Sequence, residues 1–156
     1  MKRKFTFISL LLTILTVAVC FVACNKSGET TAKLESSTAD QIVMTIEETD
    51  GNANAFDALK SLRNQDLLSF DYTESVYGAY ITSINGKAEQ VIESTLNSAK
   101  GYSWVLYTSD MEYAYSQPTV TYLDTVCGKS SVGASSITVK KGETYIWVYE
   151  YYEYTF

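Results

Sequence analysis

The last fourteen residues, "ETYIWVYEYYEYTF" (143–156), decide how this chain is read. Seven of the twelve residues from Tyr145 to Phe156 are aromatic: Tyr145, Trp147, Tyr149, Tyr151, Tyr152, Tyr154 and Phe156. Tyr and Trp favour strands, so the stretch reads as one long strand from Thr144 to about Tyr152. Side chains alternate between the two faces of a strand. Tyr145, Trp147, Tyr149 and Tyr151 therefore share one face, and Ile146, Val148, Glu150 and Tyr152 share the other. Ile146 and Val148 are the natural core side, which leaves a row of amphipathic rings on the open face.

The partners of that strand lie upstream. "QIVMTIEE" (41–48) alternates with strand period, Ile42, Met44 and Ile46 on one side. "TDGNAN" (49–54) is dense in turn formers. "NAFDALKSLRNQ" (54–65) sets Phe56, Leu59 and Leu62 on one helical stripe, with Asn54 or Asn52 able to cap its start. "LLSFDY" (67–72) alternates again. "YITSINGK" (80–87) is a β-branched and aromatic strand ending in Asn85-Gly86, a tight-turn pair. "AEQVIESTLNSAKG" (88–101) fits either a short helix or an irregular insertion. "YSWVLYT" (102–108) is a strand in which Trp104 and Leu106 share one side and Val105 and Tyr107 the other. Residues 111–136 read as loop around Pro118, the one proline, with a short strand near Val120–Leu123. One helix of about three turns cannot bury itself. It must lie on a mixed or antiparallel sheet, an α+β architecture with Ile146 and Val148 packed under Phe56, Leu59 and Leu62.

The N-terminus, "MKRKFTFISLLLTILTVAVCFVAC" (1–24), puts Lys2, Arg3 and Lys4 ahead of an apolar run from Phe5 to Ala23, the layout of an export signal. Its length also suits a retained anchor, since a spanning helix needs roughly 20 apolar residues. The ending "FVAC" resembles the bacterial lipobox, with Phe21 where leucine is usual. That resemblance implies cleavage after Ala23, a diacylglyceryl group and acyl chains such as palmitate on Cys24, and a membrane-held protein on the extracytoplasmic face. Two acyl chains hold a membrane stably where one does not. Loss of residues 1–23 leaves 133 of 156 and moves the formal charge from −6 to −9, because three cations go with it. So acidic a domain is repelled by anionic lipid and by nucleic acid, which excludes nucleic acid as an expected partner. "NKSGETTAKLESSTAD" (25–40) has one Leu and no periodicity and reads as a flexible tether with a reach of roughly 20–25 Å. The domain proper then runs from 41 to 156.

"YGAYITSINGKAE" (77–89), "GYSWVLYTSD" (101–110) and "VKKGETYIWVYE" (139–150), preceded by the helix motif "FDAL" (56–59), together resemble the transcobalamin-like C-terminal domain, a family otherwise described as a domain of unknown function. The resemblance covers roughly residues 41–150. It implies a β-grasp-like fold, a curved sheet gripping one helix, and a corrinoid such as cobalamin as a ligand. The vertebrate carriers close the corresponding domain over the corrinoid with the help of a large α/α-barrel, and this chain has no such partner domain.

Three roles are open for the aromatic face. It can be a ladder that stiffens an exposed sheet, since cross-strand aromatic pairs contribute roughly 0.2–1 kcal/mol each. It can be a platform for a planar ligand, a sugar or a protein, with Trp104, Tyr107, Tyr145, Trp147 and Tyr149 as the contact residues. It can also end in an edge that pairs with a partner strand, guarded by Glu150 and Glu153.

The sequence offers little for turnover. It contains no histidine, which removes Ser–His–Asp and Cys–His catalysis and imidazole zinc sites. "GKSS" (128–131) lacks the upstream glycine of a phosphate loop. "DGNANAFDALKS" (50–61) has Asp50, Asn52 and Asn54 in alternation, but Ala55 and Ser61 replace the glycine and glutamate of a calcium loop. Asp71, Glu74, Asp110 and Glu112 could make a glycosidase pair only if folding gathers them, and nothing in the sequence places them together. Cys127 is the one thiol expected to remain free in the exported domain, without a base to activate it. The expectation is a non-enzymatic, lipid-anchored module that binds a small molecule or an envelope protein. The alternative is a structural or adhesive part of the cell envelope.

Overall fold

The computed structural model describes residues 28–155. The expected export signal and Cys24 lie outside them, as does Phe156. Ten strands, one α-helix and one short 3₁₀ turn make up the described chain. They are β1 (Thr30–Ser37), β2 (Gln41–Thr49), α1 (Ala55–Asn64), β3 (Phe70–Ser75), β4 (Gly78–Ile84), β5 (Lys87–Ala88), β6 (Gln90–Ser94), β7 (Ser98–Thr108), β8 (Ala114–Tyr122), β9 (Thr125–Ser130), the 3₁₀ turn (Ala134–Ser136) and β10 (Thr144–Thr155). The larger sheet runs β1-β2-β10-β7-β9-β8, with β6 also paired to β7, and a smaller sheet runs β3-β4-β5. All of these pairings are antiparallel. The fold is α+β with a sheet-rich core.

The helix forms where its stripe places it. Asn54 Oδ1 accepts from Asp57 N at 2.9 Å while Asp57 Oδ2 accepts from Asn54 N at 3.0 Å, a reciprocal capping box. Asp50 tightens the preceding turn by accepting from Asn52 N (2.9 Å) and Ala53 N (3.2 Å). The alternating Asp-Asn-Asn run thus serves the turn and cap. Asn54→Ala is expected to cost about 1 kcal/mol of stability, measurable as a shift in the urea midpoint.

Residues 30–37 correct the tether expectation. They form β1, paired with β2 from Thr30↔Thr49 to Ser37↔Ile42. Ala32 is fully buried, its N–H donating to Ser61 Oγ on the helix and its carbonyl accepting from Gln65 Nε2, both at 3.2 Å. Thr38 closes the β1–β2 hairpin: its hydroxyl accepts from Gln41 N at 3.0 Å. A short Thr- and Ser-rich segment with only Ala32 and Leu34 turned inward has too little apolar contrast to stand out, yet the free edge of β2 provides a ladder for it. The ambiguous stretch 88–101 is likewise strand, carrying β6 and the start of β7. Most of the expected loop 111–136 is the β8–β9 hairpin.

That hairpin overturns the face assignment of the last strand. It curls over the sheet until Tyr122 Oη donates to Glu35 O of β1 at 3.3 Å. Both faces of the central strands are therefore covered. On the helix side Tyr145, Trp147, Trp104 and Leu106 pack with Ile42, Met44, Phe56, Leu59 and Leu62. Under the hairpin Ile146 packs with Val43, Tyr107 and Cys127, and Val148 joins them. The ring-bearing face is thus the main core face, and Ile146 and Val148 belong to the smaller second cluster. The single helix had suggested a single covered face; a folded-over hairpin supplies the other cover.

Candidate functional site

The five aromatic residues expected to form one platform are dispersed. Tyr145 is fully buried in the helix-side core, and its hydroxyl has no hydrogen-bond partner; burial pushes this phenol above its usual range. Removing an unpaired buried hydroxyl relieves a cost of about 1–3 kcal/mol. Tyr145→Phe is therefore expected to raise the thermal midpoint, read by calorimetry. Tyr107 lies under the β8–β9 hairpin, where its hydroxyl donates to Glu150 Oε2 at 2.8 Å and Lys129 pairs with Glu150 Oε1 at 2.6 Å. Burial and that carboxylate push the Tyr107 phenol upward as well.

Tyr149 has moved to the rim. Its ring stacks on Tyr102 (centroids 5.6 Å apart, planes within 10°), and Lys87 Nζ sits 4.1 Å from its centroid. Its hydroxyl donates to Ala88 O at 2.9 Å, just as Trp104 Nε1 donates to Lys87 O at 2.8 Å. Two aromatic side chains thereby pin β5 to the large sheet.

Trp104 and Trp147 remain together, and they line a cleft of about 370 Å³. Its walls come from β4 (Ala79, Tyr80 and Ile81), from the segment around Val132–Ala134, from Ser103–Leu106 of β7, and from Tyr152 and Tyr154 of β10. Tyr152 and Tyr154 stack 5.5 Å apart. They lie opposite Gly101 and Ala99, and a Cβ on Gly101 would sit 2.8 Å from the Tyr152 hydroxyl. Missing side-chain bulk on β7 is what lets the Tyr152 ring lie across that strand. Tyr80 Oη donates to Glu89 Oε2 at 2.7 Å, and burial together with that carboxylate pushes its phenol upward. The Trp147 indole N–H is buried without a partner.

Sequence reasoning found the two tryptophans of this cleft and missed Tyr80, Tyr152, Tyr154 and the 132–134 segment. The signal for the tyrosines was present in β7, whose residues opposite them, Ala99 and Gly101, are small. Nothing in the sequence marked residues 132–134.

Other candidate chemistry is dispersed or engaged. Lys140 pairs with both Asp110 (2.7 Å) and Glu112 (3.0 Å), while Asp71 and Glu74 are exposed on β3. Cys127 is fully buried, its thiol pushed up to about 11 by burial, with Thr144 O 3.8 Å from Sγ. Among the described residues no group of three or more Cys, Asp or Glu side chains is disposed to hold a metal ion, and no helix is long and apolar enough to cross a membrane. Comparison with family models, curated proteins and solved structures finds no match to this chain.

Proposed function

We propose that this chain is a non-enzymatic binding module, held on the extracytoplasmic face of the membrane by lipid on Cys24, which takes a small molecule or a segment of an envelope protein into the cleft between β4, β7 and β10. The observation that carries the reading is the cleft itself. It brings two tryptophans and three tyrosines around a cavity of about 370 Å³. Ligand sites are concave and mostly apolar, with a few polar groups that fix orientation. That volume is at the small end of their usual range of roughly 300–1,000 Å³. It suits a compact ligand or a few residues of chain far better than a whole corrinoid macrocycle, so the transcobalamin-like resemblance supports a β-grasp-like relationship more than cobalamin binding.

The anchor is tested by metabolic labelling with radioactive palmitate. Label on the wild-type chain and none on Cys24→Ser supports it; equal label on both, or none on either, rejects it. The cleft is tested by tryptophan fluorescence of the full-length chain in detergent, titrated with a cobalamin panel, envelope glycans and short peptides. A saturable change weakened by Tyr154→Ala supports ligand binding there, and silence across all three panels rejects it. A structural role at the envelope, with no ligand in the cleft, would leave partner recovery from envelope extracts unchanged in Tyr154→Ala.

A further inference from the structure

The cleft lies along a strand edge, and its polar groups are those of main chain. Ser103 and Val105 project to one face of β7 and Trp104 and Leu106 to the other, yet all four line one cavity. Only a space lying against the edge of the strand touches both faces at once. On that edge β6 pairs with residues 99–102 and β9 with residues 107 and 108. Among the described residues no strand pairs with 103–105 on the side away from β10.

The direction of the unpaired groups follows from two hydrogen bonds. Tyr149 N donates to Asp40 O at 2.8 Å, on the β2 side of β10, so its N–H is turned from β7. Tyr149 faces Trp104 across the ladder. In an antiparallel pair, opposite residues either exchange hydrogen bonds or both turn outward. Trp104 N–H and C=O therefore point away from β10, into the gap. Ser109 N donating to Thr144 O at 3.0 Å confirms that the odd-numbered residues of β7 turn toward β10. Leu106, two residues from Trp104, turns outward with it. Trp104 and Leu106 are 4% and 6% exposed. The Tyr107↔Lys129 pairing, with Tyr107 turned toward β10, ties Leu106 C=O to Ser130 N–H of β9. The N–H and C=O of Trp104 and the N–H of Leu106 are left facing the slot without a strand partner, a costly arrangement.

We propose, on the binding-module reading above, that the ligand is an extended peptide segment of another protein, which adds as a short strand to β7 between β6 and β9. Trp104 supplies an N–H and a C=O to that strand and Leu106 a further N–H, the two residues about 7 Å apart as alternate positions of a strand. The gap of three residues, 103–105, is about 10 Å long, so the inserted segment is short. Tyr152 and Tyr154 receive an apolar side chain on one face. Main-chain bonding gives affinity in this mode and the alternate pockets give selectivity. The chain carries eighteen acidic residues against twelve basic, and four of the basic ones, Lys2, Arg3, Lys4 and Lys26, precede the described residues. The charge favours a segment flanked by lysine or arginine.

The test uses the full-length chain in detergent and a displayed library of seven-residue peptides of alternating apolar and polar residues with lysine flanks. Amide hydrogen exchange is then followed with the tightest member bound. In the free protein Trp104 and Leu106 amides are expected to exchange at least about tenfold faster than those of Ser103 and Val105, and saturating peptide is expected to slow them at least about tenfold. N-methylation of alternate peptide nitrogens should abolish binding in one register and spare it in the other. Binding without protection at Trp104 and Leu106, binding indifferent to both methylation registers, or a library with no binder overturns the peptide proposal. So does protection of both amides through self-association of the free chain. A glycan or other small molecule that binds while peptides do not rejects the strand-addition idea and leaves the module reading intact. A cleft silent to every probe rejects both.

Discussion

Replacing Trp147 with alanine is expected to lower the free energy of unfolding by about 3–5 kcal/mol, the usual cost of emptying a buried tryptophan site. The ring is 4% exposed and belongs to the helix-side cluster with Leu59 and Leu62. Had it stood on an open sheet face, truncation would change stability by only about 0.5 kcal/mol or less. Urea denaturation separates the two outcomes. Tyr151→Ala is the internal control: Tyr151 lies on the same face of β10, two ladder positions beyond Tyr149, and is 46% exposed. A loss at Trp147 no larger than that at Tyr151 would restore the open-platform picture.

Gly101→Val is expected to destabilise the protein by about 3 kcal/mol, the upper end of the overpacking range. A Cβ at Gly101 would lie 2.1 Å from Gln90 O and 2.8 Å from the Tyr152 hydroxyl. The first obstacle is main chain, so it cannot swing aside as a side chain would; β6 has to detach from β7. Hydrogen exchange should show lost protection across Val91–Ser94 before other strands are affected. Intact protection in β6 together with wild-type stability would contradict the close approach of these strands.

What the sequence disclosed, and what it hid, divides along a physical line. Periodicity made α1, β2, the centre of β7 and the long β10 readable, because each carries enough large apolar side chains to show period 3.6 or 2. The alternation of Tyr145, Trp147 and Tyr149 against Ile146 and Val148 was correct as parity. Which face pointed inward was not contained in that parity. It depends on the β8–β9 hairpin, whose residues are mostly exposed or half-buried and whose Ser- and Thr-rich sequence resembles a loop. The same weakness hid β1, where Ala32 and Leu34 are the only inward apolar side chains of note. The two tryptophans of the cleft were legible as aromatic residues of strands. Its defining feature, a gap between the β6 and β9 ladders, was not, since a missing hydrogen-bond partner leaves no mark on composition.

The docking of β1 changes the geometry of attachment on the lipid-anchored reading. The fold begins at Thr30, so only residues 25–29 separate it from Cys24, and five residues extend at most about 17 Å. The screening length in physiological salt is about 8 Å. An acidic body on so brief a leash stays within roughly two screening lengths of the bilayer, where anionic headgroups resist its tumbling and favour orientations that turn its most negative surface outward. On that reading, a segment entering the slot beside β7 would have to be presented close to the same membrane, which favours a neighbour anchored in that leaflet over a component reaching in from afar.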